Sequence, residues 1–166
     1  DAMKFKSVEH ALSWAFRVES TAIIKTSSVS AAMMGGGGMS HGELTSHDRH
    51  AYAAMIIDQA SRATDKPSMV LLRAIYGVAD VADVRACLVP IVVATLPTGT
   101  HSRRAIEDII NAYCGRNRGV EELRRSLQCR KSTALETRRG AYRALDAVLD
   151  RAVARIRDAA PYLLAN

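Results

Sequence analysis

The feature that most constrains this chain lies near its end. From residue 132 to about 159, apolar residues recur at Ala141/Tyr142, Leu145, Val148/Leu149, Ala152/Val153 and Ile156, ahead of Pro161. Steps of three and four place them on one helical face. A helix of that length needs several partners to cover it, and the rest of the chain must supply them. The stripe reads as the core of the same domain. A dimerisation seam wants sustained heptads over a longer stretch. Gly140 interrupts it at about 1 kcal/mol relative to alanine and would permit close approach of another helix or of DNA.

The upstream sequence reads as further helices. Ser7 caps a first one, with Val8, Ala11, Leu12, Ala15 and Phe16 on one face, Trp14 beside them and an end near Glu19. Residues 20–44 are Ser/Thr-rich and contain four consecutive glycines, Gly35 to Gly38. Their backbone entropy excludes helix and strand, so this stretch is expected to be a flexible linker. Thr45 and Ser46 open a second helix running to about Arg62, with Tyr52, Met55, Ile56 and Gln59/Ala60 on one side. Pro67 suits the first turn of a third helix, which Gly77 stops. Residues 78–96 are apolar and β-branched, and read as a buried helix kinked or broken at Pro90, with a strand over 91–95 as the alternative. Ala105, Ile106, Ile109, Ile110 and Tyr113 form the inner face of the next helix, closed by Gly115. A polar turn at 116–119 and a short helix over 120–127 precede the long one.

The expected fold is therefore all-α: a helical bundle with a C-terminal helix-turn-helix and a long final helix. Residues 1–19 form an N-terminal helix, 20–44 the linker, and 45–166 the helical body, with the helix-turn-helix at about 119–139.

Charge is distributed unevenly. Residues 1–100 hold nine basic and nine acidic side chains, whereas 101–166 hold fourteen basic and eight acidic ones. The whole net charge of +6 thus belongs to the C-terminal part. Its basic residues are all arginine except Lys131. Arginine suits bidentate contacts to phosphate and to guanine edges, so the excess points to a polyanion partner.

The motif that coincides with this excess lies between Gly119 and Arg139. Leu123, Leu127, Cys129, Ala134 and Thr137 have the spacing that two short helices crossing steeply need for their inner contacts. In such motifs the start of the second helix enters the major groove. Arg130, Lys131, Ser132, Thr133 and Glu136 are then the candidates for base-edge contacts. Arg124, Arg125, Arg138 and Arg139 are the candidates for phosphate contacts.

The segment from Val120-Glu121-Glu122-Leu123 through Cys129-Arg130-Lys131-Ser132 resembles the helix-turn-helix of sigma-factor region 4. With Ala112-Tyr113-Cys114-Gly115 before it and a long helix after it, the layout over 101–157 is similar to phage late-gene regulators of the Q-type antitermination family. Gln128 stands where the turn usually has glycine, and Thr137 where a larger apolar residue is usual. The zinc-binding cysteine cluster of some members is missing. The resemblance implies binding to double-stranded DNA near a late promoter and action on a paused RNA polymerase.

Other chemistries find little footing. Cys87, Cys114 and Cys129 have no metal-ligand spacing, and their odd number argues against a disulfide framework. His47 and His50 share a helical face, but histidines beside a loop are more often plain surface residues. The glycines lack the Gly-Lys-Ser/Thr of a phosphate loop. Glu107-Asp108 and Glu121-Glu122 are adjacent, so each pair diverges by about 100° on a helix and forms no catalytic dyad. No enzyme activity, cofactor or metal is expected. No apolar run reaches the roughly 20 residues that span a bilayer, and the expected location is the cytoplasm. The oligomeric state stays open, with a homodimer as one option. The alternative function is a protein-interaction module without a DNA target, working through the N-terminal helix with Trp14 and Phe16. RNA binding is a weaker option, because exposed aromatics for stacking are lacking in the basic region.

Overall fold

A computed structural model of the chain describes residues 4–21, 45–96, 102–115 and 120–164. The expected linker from residue 22 onward, with its four glycines, and the polar turn at 116–119 lie outside the described residues. Within them the fold is all-α. The helices are α1 (Val8–Ser20), α2 (Ser46–Ala63), α3 (Lys66–Tyr76), α4 (Val81–Val93), α5 (Arg103–Tyr113), α6 (Val120–Leu127) and α7 (Lys131–Ala159), followed by a 3-10 turn at Pro161–Leu163. No helix among the described residues is long and apolar enough to cross a membrane.

Local chemistry sets most of the boundaries. The Ser7 hydroxyl accepts from the His10 N–H and starts α1. Thr45 and Asp48 form a reciprocal capping box at α2. Asp65 caps α3 with Pro67 in its first turn, Asp80 caps α4, and Ser102 caps α5. Gly77 follows α3 in close contact with α1: an added Cβ would lie 3.1 Å from Phe16 Cδ1, and the ring would have to give way.

Two apolar clusters share α7. The first joins Leu12, Ala15 and Phe16 of α1, Ile56 and Ala60 of α2, and Leu72 of α3 to Ala152, Val153 and Ile156 of α7. The second joins Leu71 of α3, Leu88 and Val92 of α4, Ile106, Ile109 and Ile110 of α5, and Leu123 of α6 to Ala141, Leu145 and Val148 of α7. Leu71 and Leu72 are neighbours in sequence and serve opposite clusters, so α3 is the wall between them. Leu149 packs against both. The expected stripes of α1, α5 and α7 are the buried ones.

The chain ends are tied to this body. The Phe5 N–H donates to the Leu163 carbonyl at 2.8 Å. The Phe5 ring contacts His10, Trp14 and Tyr52. Helix α1 is thus part of the core, and Phe16, expected to offer a docking surface, is only 1% exposed. Arg73 holds the same corner, with its guanidinium 3.2 Å from Glu19 and 5.4 Å above the Phe16 ring.

Two expectations change. Residues 81–93 form one α-helix that continues through Pro90, with no strand, and only Leu88 and Val92 are buried. The apolar run is covered on one side alone, leaving Val81 58% and Val93 47% exposed. In α2 the buried face is Ala53, Ile56, Ile57 and Ala60, and Met55 points outward. α1 packs on α2 from a slightly different direction than the sequence pattern indicated.

Asp65 couples this frame to pH. The Ser68 hydroxyl and N–H both donate to its carboxylate and hold its pKa below the ordinary 3.8. A carboxyl depressed on folding stabilises fully above its unfolded pKa and ceases to do so as pH falls through the folded value. Asp65→Ala should therefore cost about 1 kcal/mol at neutral pH, the usual worth of a helix cap. In urea denaturation the gap from wild type should close below about pH 4.

Candidate nucleic-acid interface

The basic segment is built on α6, a three-residue turn and the start of α7. Leu123 is buried in the second cluster, and Leu127 packs against it half-buried. Ala134 and Thr137 of α7 are buried, and Cys129 in the turn is half-buried. Of the five positions expected to face inward, three are buried and Leu127 packs against the core, while Cys129 is half-buried and packs on neither cluster. Thr137, smaller than the residue usual there, is 6% exposed.

The turn departs from ordinary backbone at one residue. Gln128 has φ of +50°, the left-handed region that favours glycine. The Cys129 N–H reaches back to the Arg124 carbonyl at 3.4 Å and closes the end of α6. Gln128 occupies the position where the resembling motif has glycine, and its backbone takes the conformation that glycine would provide.

Packing the inner residues leaves the candidates outside. Arg124, Arg125, Arg130, Lys131, Ser132, Thr133, Glu136 and Arg139 are exposed. Arg138 is half-buried, with its guanidinium 5.7 Å above the Tyr142 ring, which holds it against α7. Ser132, Glu136 and Arg139 follow at steps of four and three along the outer face of α7. Arg143, one turn further on, continues that line and is exposed. Arg143 is not among the candidates named from the sequence, although the four-residue step from Arg139 leads to it.

Electrostatics single out the start of α7. Its N-cap is Arg130, which makes no side-chain capping bond, and its first turn has no acidic residue. Cations at this end oppose the helix dipole, at about 0.3–1 kcal/mol each. An acid from α6, Glu121, faces it. It accepts from Arg124 Nε at 2.9 Å and lies 3.9 Å from Lys131 Nζ across the turn.

Two hydrogen bonds and one ring contact that the sequence did not reveal fix this corner to the body. Ser126 of α6 donates to the buried Asp108 of α5 at 2.9 Å. Tyr113 donates to Asp146 of α7 at 2.7 Å, and burial together with that carboxylate pushes the phenol pKa up. The Tyr113 and Tyr142 rings meet edge to face at 5.1 Å, which links Arg138 to α5. Each pair is distant in sequence, so no local pattern announces it.

Among the described residues no group of three or more His, Cys, Asp or Glu side chains could hold a metal ion. No protein-family model and no curated protein sequence matches the chain.

The turn yields a direct stability test. A non-glycine residue in the left-handed region costs roughly 1–2 kcal/mol, part of which glycine gives back as unfolded-chain entropy. Gln128→Gly should raise unfolding free energy by about 0.5–1 kcal/mol in urea denaturation. A loss of stability would show that residue 128 does not take this conformation.

Proposed function

We propose that the chain is a sequence-specific DNA-binding transcription regulator that reads duplex DNA with the α6–turn–α7 surface. The observation that carries the reading is the sorting of side chains there. Leu123, Ala134 and Thr137 are buried, and eight of the nine candidate contacts are exposed on the outer side. The start of α7 presents backbone N–H groups that no side chain caps, together with Arg130 and Lys131. Such an end favours phosphate or the edge of a base pair.

In this proposal Arg130, Lys131, Ser132, Thr133 and Glu136 meet base edges. Arg124, Arg125, Arg138, Arg139 and Arg143 meet phosphates on either side. The resemblance to Q-type antitermination proteins makes an antiterminator acting on RNA polymerase the specific form we favour. A protein with these partners works in the cytoplasm and needs neither catalytic residues nor a cofactor. The competing reading, an interaction module working through α1, would have to function without Phe16, which lies in the core.

The test is selection from random-sequence duplex DNA with the full chain, at about 50 and 200 mM salt. Enrichment of one motif is expected, and Arg130→Ala with Lys131→Ala should abolish it. Replacing a base contact should cost about 1–3 kcal/mol and relax one position of the motif. Replacing a phosphate contact should weaken binding to all sequences and flatten the salt slope by about one unit. Absence of binding at the lower salt would overturn the proposal.

A further inference from the structure

We infer that Glu121 is a built-in competitor of DNA for Arg124 and Lys131, and that it limits how tightly the surface holds any duplex. The inference rests on the DNA-binding reading above. Glu121 is the second residue of α6, and its carboxylate reaches both ways. One oxygen accepts from Arg124 Nε at 2.9 Å, while the other lies 3.9 Å from Lys131 Nζ on the far side of the turn. Arg124 is a candidate phosphate contact and Lys131 a candidate base-edge contact. One acid thus engages both classes of contact in the unbound protein.

Carboxylate and phosphate oxygens are interchangeable partners for guanidinium and ammonium groups. Glu121 therefore stands where an incoming anion would pair. Docking a duplex forces a choice. Either the two cations leave Glu121, Arg124 for phosphate and Lys131 for a base edge, or they keep it and a carboxylate is brought against a phosphate. Both routes oppose binding, and the loss at Arg124 falls on every sequence alike, because backbone contacts carry no base information. The pair is solvent-exposed, with 55% of the Glu121 side chain accessible, so the effect is modest and shrinks as salt screens it.

The experiment measures affinity of the full chain for random-sequence duplex DNA between about 50 and 200 mM salt. Glu121→Gln and Glu121→Ala are compared with wild type, so that a folding defect in one variant does not decide the matter. Asp158→Asn serves as the charge control. It changes net charge equally but lies near the opposite end of α7, about 40 Å away by helical rise and several Debye lengths distant. Both Glu121 variants should bind about two- to fivefold tighter at the lower salt, with a salt slope about one unit steeper. Asp158→Asn should behave like wild type. Unchanged binding of the Glu121 variants, or a gain matched by Asp158→Asn, overturns the inference. The DNA-binding reading then still stands if wild type binds and Arg130→Ala weakens it. Absence of binding by wild type and variants alike overturns both.

Discussion

Everything in this fold depends on one helix serving two cores. α7 runs from Lys131 to Ala159, about 40 Å at the usual rise, with a single inward stripe along it. Its C-terminal half closes the cluster built by α1, α2 and Leu72, and its middle closes the cluster built by α3, α4, α5 and α6. No other element reaches both clusters to this extent. The first turns of α7, where the basic side chains sit, pack on α6 through buried Ala134 and Thr137 and extend a rod held over the rest of its length. That gives the exposed arginines a fixed frame, which a contact surface needs to hold its geometry.

Departures from local rules collect at that end. The described starts of α1, α2, α3, α4 and α5 all have a side-chain cap, from Ser7, Thr45, Asp65, Asp80 and Ser102. α7 begins without one, with cations where the dipole prefers acids, and two residues before its N-cap Gln128 takes a left-handed conformation. Each feature opposes stability by about a kilocalorie per mole. Their coincidence with the basic surface is the pattern expected where local stability has yielded to contact with an anionic partner. Glu121 moderates the arrangement in the unbound protein by drawing Arg124 and Lys131 together across the turn.

Periodic burial was the legible part of the sequence. The stripes of α1, α5 and α7 were readable because each packs one face on the core, and three-and-four spacing records that directly. Caps at Ser7 and Thr45, Pro67 in the first turn of α3 and the stop at Gly77 were readable because their chemistry is local. α4 was read as a helix, as it is, but as more buried than it is, for a physical reason. A run of Val, Ala, Leu and Ile looks buried whichever sides have neighbours, and among the described helices its main cover is α3, α5 and α7. Four of the five inward positions of the candidate site, Leu123, Leu127, Ala134 and Thr137, were legible. The bonds that hold it were not, because Asp108–Ser126, Tyr113–Asp146 and Glu121–Lys131 join residues from different helices.

The central claim is that duplex DNA meets the chain at the α6–turn–α7 corner. Amide shift mapping of isotope-labelled protein, titrated with duplex DNA at low salt, tests it most directly. The expected result is perturbation concentrated from Arg124 to Arg143 and at the residues that brace them, Asp108 and Tyr113, with α1 and α2 unaffected. Perturbations confined to α1 and α2, or spread evenly over every exposed basic residue, would contradict it.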